Sequence, residues 1–306
     1  MKPYLVAMAT CVALSACGGS NAVFGTGDGT DGGGGTPANP VVPADIAGNI
    51  TSISYDPDNQ TLVVRGAGLD DVAFTDVYTR KPALDRPGYE AYTAQDGSLT
   101  RHFTAYVREI DGTYGAVIGS GGQFNTVIQG TQFGRDGAYD PPATTPNGGV
   151  VSYAGNYIGV LNRNGSGEDL LPVTPGTDPS VIPGQVAEVT GNVLINAGFG
   201  DTQNQVDGII YNRQIADTGL SMEDLSLRPT EITSNGTFTG EVMTPDLRNV
   251  GGYAGLFGGQ DASVVAGALH VEDHVGALEN EVEYGTFVLG VCGGPNADPL
   301  CDQPNP

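Results

Sequence analysis

The sequence predicts an all-β protein: a C-terminal antiparallel barrel of about eight strands, a smaller β-rich region before it, and a flexible lipidated tether in front of both. Three observations lead there. Short runs rich in Val, Ile, Thr, Tyr and Phe recur along the chain with Gly, Asn, Asp and Pro between them. The 48 glycines and 20 prolines disfavour helix interiors throughout. The first 44 residues read as a leader and spacer rather than as part of a folded body.

The leader is the most specific signal. Lys2 supplies a positive start, and Leu5–Ala16 forms a largely apolar run of 12 residues, too short to cross a bilayer as a helix. Small residues at Ser15 and Ala16 precede Cys17, so Leu14-Ser15-Ala16-Cys17 resembles the lipobox of bacterial lipoproteins. In such a motif the cysteine thiol is acylated and becomes the new N-terminus, which makes Cys17 the expected lipidation site and 1–16 the signal peptide. Several acyl chains on one cysteine would anchor the protein firmly, where a single chain is marginal. Gly18 follows Cys17 in place of the aspartate familiar from inner-membrane retention, so sorting to the outer membrane, and onward to the cell surface, is permitted.

Residues 17–44 are Gly- and Pro-rich, the composition of a disordered tether. Gly27, Gly29 and Gly32 match G-x-G-x-x-G, but a dinucleotide loop needs a preceding strand and a following helix, and neither is predicted. Removing the signal loses only Lys2, leaving 11 basic against 35 acidic residues and a net charge of −24. Such a chain repels nucleic acid and anionic lipid, so the membrane is to be engaged through the N-terminal lipid. The expected partner beyond the membrane is a protein or small ligand.

The folded part begins near residue 45. The 45–147 region contains Thr61–Arg65, Phe103–Glu109, Tyr114–Ile118 and Phe124–Gln129 as strand candidates. The Pro/Gly-rich step from Tyr139 to Gly149 marks a boundary, and 148–292 is the predicted barrel. Its candidates are Val186–Asn196, Val206–Asn212, Gly236–Met243, Val264–Val271 and Tyr284–Val291, with Gly219–Leu227 reading as a short helical turn. The loop from Asn164 to Gly184 has four prolines and is long enough to be exposed and functional. Residues 293–306 form a tail. With Cys11 in the signal and Cys17 taken by lipid, Cys292 and Cys301 are expected to form a disulfide in the oxidising envelope, worth roughly 2–3 kcal/mol in the chain-entropy model.

Gly252-Tyr253-Ala254-Gly255-Leu256-Phe257-Gly258-Gly259 followed by Val264-Val265-Ala266-Gly267-Ala268-Leu269 reads as a barrel hairpin, with aromatics able to lie over the exposed backbone of glycines. This hairpin, with Thr190–Phe199 upstream, resembles the closing strands of transferrin-binding protein B and factor H-binding protein lipoproteins. The resemblance covers about 150–291 and implies a barrel with a smaller "handle" sheet before it. It also implies a non-enzymatic binding protein, with a host or environmental protein as partner. Met243-Thr244-Pro245-Asp246 departs from the Phe-Tyr-Gly-Pro-Asn-Ala pattern of that group, and no binding residues carry over.

Catalytic signals are sparse. There is no G-x-S-x-G serine and no phosphate-loop lysine, and a triad using one of the three histidines has no sequence support. The sharpest cluster is His270-Val271-Glu272-Asp273-His274. On a strand His270, Glu272 and His274 would share a face and could hold a transition metal; the competing reading is ordinary polar turn and surface residues. Asp56-Pro-Asp-Asn and Asn164–Asp169 lack EF-hand spacing and read as turns. Tyr89, Tyr92, Tyr106 and Tyr114 suit a contact surface or, more simply, a covered sheet face. The expected function is thus a lipid-anchored, surface-exposed binding lipoprotein without catalysis. The alternatives are a periplasm-facing structural envelope lipoprotein and a metal-binding protein using His270 and His274.

Overall fold

The computed structural model describes residues 22–25, 42–56, 59–68, 72–142, 149–200 and 204–303. Cys17 and the signal peptide lie outside them, as does most of the Gly/Pro tract. Two antiparallel sheets hold the described strands. The first runs in sequence order: β1 (Ala22–Gly25), β2 (Ile50–Asp56), β3 (Thr61–Ala67), β4 (Ala73–Arg80), β5 (Glu90–Ala94), β6 (Phe103–Ile110), β7 (Thr113–Ser120) and β8 (Gln129–Arg135). β1 falls within the tract expected to be a tether and pairs with β2, Ala22 opposite Tyr55.

The second sheet comprises β9 (Val150–Asn164), β10 (Val186–Gly198), β11 (Gln205–Ile215), a two-residue β12 (Leu220–Ser221), β13 (Leu225–Glu231), β14 (Thr237–Met243), β15 (Asn249–Gly258), β16 (Val264–Glu272) and β17 (Val282–Gly290). β10 pairs with both β9 and β11, so the order β10-β9-β17-β16-β15-β14-β13-β11 returns on itself and leaves no edge. This is a closed eight-stranded antiparallel barrel, as the sequence predicts. Closure removes the open backbone groups that an edge would expose.

Alternation fills the barrel. Tyr153, Tyr157, Val193, Ile195, Ile210, Phe238, Tyr253, Phe257, Leu269 and Phe287 point inward and form one core. Aromatic rings do lie over glycines there: a Cβ on Gly267 would run into the Phe287 ring. On the outer face of the barrel Ala254, Leu256, Val264, Ala266, Ala268 and Val288 meet Phe133 together with Val42, Ile46 and Ala47 around α1 (Ala44–Ala47). Ile158, Val160 and Val186 meet Ala91, Tyr106 and Val117. The first sheet therefore packs on the barrel wall with one face while its other face encloses its own core of Ile53, Leu62, Val64, Tyr78, Tyr92 and Ile118. Covered on both sides, β7 and β8 are buried at every residue. Asn49 N–H donates to Gln129 O at 2.9 Å and Gln132 Nε2 to Ile50 O at 3.0 Å, which nearly closes the first sheet between β8 and β2.

Two local expectations are corrected. Gly219–Leu227 is not helical: it contains β12 and the start of β13, where Leu225 and Leu227 both face the core at strand spacing. Phe124–Gln129 is a strand only from Gln129, because Phe124 and Asn125 take left-handed φ values of +54° and +56° and form the turn before it.

Beyond β17, Cys292 and Cys301 are joined with their Cα atoms 5.4 Å apart. Asn296 within this loop donates to Asp111 at 2.7 Å, so the closed loop ties the barrel's last strand to the β6–β7 turn. Reduction, or Cys292→Ser, is expected to lower the melting temperature by about 5 °C. Calorimetry with and without reductant checks this; equal melting temperatures would mean the loop holds without its bond.

Candidate functional site

β16 places the residues of the His270 cluster. Its register sets His270 opposite Gly252 on one side and Tyr284 on the other. Leu269 and Val271 point into the barrel, so His270 and Glu272 point out. The His270 ring stacks on Tyr284 with centroids 4.5 Å apart, and its Nε2 lies 3.2 Å from Glu272 Oε1. Both line a 740 Å³ groove between the barrel wall and α1, with Asp45, Asn49, Asn249 and Gly252. Burial pushes the His270 pKa down, against the opposing pull of Glu272 and Asp45.

His274 does not share this face. Asp273 takes φ +50°, which ends the alternation and turns the chain, and His274 enters the barrel. The fold thus brings His270 and Glu272 together and sends His274 elsewhere. Among the described residues no group of three or more His, Cys, Asp or Glu side chains is arranged to hold a metal.

Inside the barrel His274 joins a network that sequence reasoning missed. Its Nε2 lies 2.9 Å from Glu283 Oε2 and 3.0 Å from Arg213 Nη2. Arg213 donates to Glu283 Oε2 at 2.6 Å and to Glu223 O at 2.6 Å, and the Tyr157 hydroxyl donates to Glu283 Oε1 at 2.5 Å. Glu281 accepts from Val275 N–H at 2.5 Å and closes the β16–β17 connection over this end. The side chains of Arg213, His274, Glu281 and Glu283 are all fully buried. Burial alone would raise the Glu283 pKa, but Arg213, His274 and Tyr157 overcome it and hold the carboxyl at about 2. Sealed from solvent, this network is structural. Its one sequence signal was a charged residue at an inward position of each strand: Arg213 in the row of Ile215, past the break in alternation at Asn212, and Glu283 in the row of Phe287 and Leu289.

The remaining candidate surface is built from loops. The segment leaving β9 at Asn164 crosses to the first sheet, where the Asp169 carboxylate binds Lys81 Nζ at 2.5 Å and His102 Nε2 at 3.0 Å. Burial raises the Asp169 pKa, but hydrogen bonds from Lys81, His102 and Thr93 prevail and hold it below the usual range. Leu171 N–H donates to Gln95 Oε1 at 2.9 Å. Gln123 Nε2 bridges Leu99 O at 2.9 Å and Val181 O at 3.0 Å. Arg101 donates to Thr126 O at 2.8 Å and Gln123 O at 3.0 Å. Loops 95–102, 121–128 and 165–185 are braced together in this way, and each shows one large apolar side chain to solvent: Leu99, Phe124 and Leu171. Asp169→Asn is expected to loosen the crossing segment, so limited proteolysis should cut within 165–185 several-fold faster; an unchanged rate would mean that Gln95 and Gln123 suffice.

The other sequence candidates resolve simply. Tyr89, Tyr92, Tyr106 and Tyr114 are buried in the sheet and between the sheets. Asp56 caps a turn, accepting from Asn59 N–H at 3.0 Å and from its side chain at 2.8 Å.

No family model and no curated protein matches the chain. Solved structures do. Transferrin-binding protein B from Haemophilus parasuis Hp5 is matched at 11% identity and TM-score 0.39, over 79% of this chain and 54% of that one. The isotype 1 protein from serogroup B Neisseria meningitidis is matched at 10% identity and TM-score 0.37, over 78% and 51%. A structure described as a surface lipoprotein is matched at 14% identity and TM-score 0.33, over 77% of this chain and all of that one. The chain spans about half the length of the first two. The first two carry the name of the group that the Gly252–Leu269 hairpin resembles.

Proposed function

We propose that the chain is a lipid-anchored outer-membrane lipoprotein, exposed at the cell surface, that binds a protein partner and performs no catalysis. The observation that carries this reading is the braced loop surface. Arg101 and Gln123 spend their polar atoms on holding loop backbones together, and the result is a firm display of Leu99, Phe124 and Leu171. Exposed apolar side chains on a pre-organised surface are what protein recognition uses. The Leu14–Cys17 motif supports anchoring through a covalent lipid on Cys17, and the acidic chain supports attachment by lipid and not by a basic patch.

Proteinase K on intact cells tests it, with an outer-membrane-permeabilised sample and a periplasmic control protein alongside. Cleavage in intact cells, with the control protected, is the expected result. Cleavage only after permeabilisation would overturn surface display and favour the periplasm-facing structural role. Binding is then read at the loops. Phe124→Ser with Leu99→Ser should abolish partner capture on cells while leaving the melting temperature unchanged.

A further inference from the structure

β4 is paired along its whole length with β3, Thr61 opposite Thr79 through Ala67 opposite Ala73. On its other side the ladder is short: only Thr79 and Arg80 pair with β5, opposite Thr93 and Tyr92. Continuing that register would set Asp76 directly opposite Asp96. Like charges facing each other across strands are destabilising, and here the chain leaves the ladder. It turns back at Gly97–Thr100, where Thr100 N–H donates to Gly97 O at 3.0 Å.

The consequence, among the described residues, is an open edge from Ala73 to Val77 inside a sheet that is otherwise nearly closed. Arg80 N–H donates toward β3, to Gln60 O, and Lys81 N–H toward β5, to Ala91 O. The alternation therefore aims the N–H and C=O groups of Thr75 and Val77 at the unpaired side. A 220 Å³ cavity opens here, lined by Asp76, Val77, Gln95, Asp96, Arg101 and Phe103 among others, with the Arg101 guanidinium committed to the Gly121, Gln123 and Thr126 carbonyls. Asp76 and Asp96 show no cationic partner among the described residues. Burial, followed by the Asp96 charge, raises the pKa of Asp76. Val77 stands beside them on the outer face, 58% exposed.

We propose that the open edge of β4 binds an extended basic segment of a partner polypeptide by strand addition, with a lysine or arginine side chain seated between Asp76 and Asp96. The backbone of Thr75 and Val77 supplies the ladder, and the acidic pair selects the sign of the incoming side chain. A residue opposite Asp76 shares its face, and the neighbours of that residue fall on the outer face beside Val77 and Thr75. The preferred segment therefore alternates, with one basic residue flanked by apolar ones. A second copy of this chain is the wrong occupant, since its net charge of −23 opposes self-association at an acidic edge. The site borders loop 95–102 of the proposed partner surface. It is read by peptide binding to the purified chain, whereas that surface is read by partner capture on cells and by Phe124 and Leu99 substitutions, so the two readings fail separately.

The test uses the detergent-solubilised full-length chain and a fluorescein-labelled hexapeptide, Thr-Val-Lys-Val-Thr-Val, read by fluorescence polarisation. Saturable binding is expected, about tenfold weaker when lysine is replaced by glutamate, and weakened by added salt. N-methylation of alternate backbone amides should weaken it about as much, because it removes ladder hydrogen bonds. Asp76→Asn should lose about tenfold in affinity with no loss of melting temperature, since it relieves a repulsion. Thr75→Pro removes an outward N–H that has no partner in the sheet, so it should block binding while circular dichroism stays native. Equal affinity for the lysine and glutamate peptides would overturn the proposal, as would an Asp76→Asn variant that binds like the wild type. A dimer abolished by Thr75→Pro would overturn it too, by making the occupant a second copy.

Discussion

Arg213→Met is expected to destabilise the barrel by about 3–5 kcal/mol, which guanidinium-chloride unfolding followed by circular dichroism would measure. The size follows from what the guanidinium leaves behind. Glu283 is fully buried, and Arg213 is the one arginine or lysine bonded to it among the described residues. Its other partners are the Tyr157 hydroxyl and His274. Glu281, equally buried, lies on the far side of the same imidazole, 3.6 Å from Nδ1. Without Arg213 two buried carboxylates share one histidine, and Glu223 O loses its donor. Removing both partners of a buried pair costs far less than removing one, so Arg213→Met combined with Glu283→Gln should recover at least half of the loss. If the double variant is no more stable than the single one, the arginine matters as packing volume and not as a counter-charge.

The same network sets an acid limit. Glu283 has a folded-state pKa near 2, below the ordinary glutamate value of 4.5, so folding favours its ionised form. That contribution is fully present above pH 4.5 and is lost as pH falls from there toward 2. A displacement of this size corresponds to about 3 kcal/mol. Stability measured from pH 5 down to pH 2 should therefore fall more steeply in the wild type than in Glu283→Gln, which has no such proton to take up. Parallel slopes would place the acid sensitivity in other carboxylates, Asp169 and Asp85 among them.

Much of this fold was legible because its strands obey simple chemistry. Val264–Val271 and Phe103–Glu109 are β-branched and aromatic runs between turn residues, and both are strands to within a residue or two of the expected ends. β4 was not visible. Its alternation sets Phe74, Asp76 and Tyr78 on one face, and a charged residue in an inward row hides the pattern. The ladder to β5 also stops short of that residue, at Thr79. The His270 cluster shows the same limit from the other side. Strand alternation suggested one face for His270, Glu272 and His274, but one left-handed φ at Asp273 divides them between the outside of the barrel and its interior. A local window sees spacing and cannot see that turn. Arg213 and Glu283 are 70 positions apart and meet only when the barrel closes, so neither could be paired from sequence. The loop surface needs still more distant partners: Lys81 and His102 flank strands of the first sheet, and Asp169 comes from the segment that crosses to it from the second.

The glycines of the barrel hairpin carry the remaining large effect. Gly255→Val in β15 is expected to cost about 3 kcal/mol, at the upper end of what overpacking does. Phe238 stands directly opposite Gly255 in β14, and its ring lies over the bare backbone. A Cβ at Gly255 would overlap that ring and come 2.5 Å from Ala266 O, a backbone atom fixed in the ladder with β16. The ring cannot retreat easily, because it packs 5.4 Å from Phe257 and 6.0 Å from Tyr253 in the barrel core. The strand must then shift or the aromatic cluster must reopen, and either exposes apolar surface. Gly252, three residues earlier on the same strand, is the contrast. The nearest atom to a Cβ there is Gly240 O at 3.5 Å, ordinary contact, so Gly252→Ala should change stability by less than about 0.5 kcal/mol. Thermal melts of the two variants side by side separate a requirement for close aromatic packing from mere tolerance of glycine. Equal losses at both positions would mean that the strand needs flexible backbone, and that the ring over Gly255 is incidental.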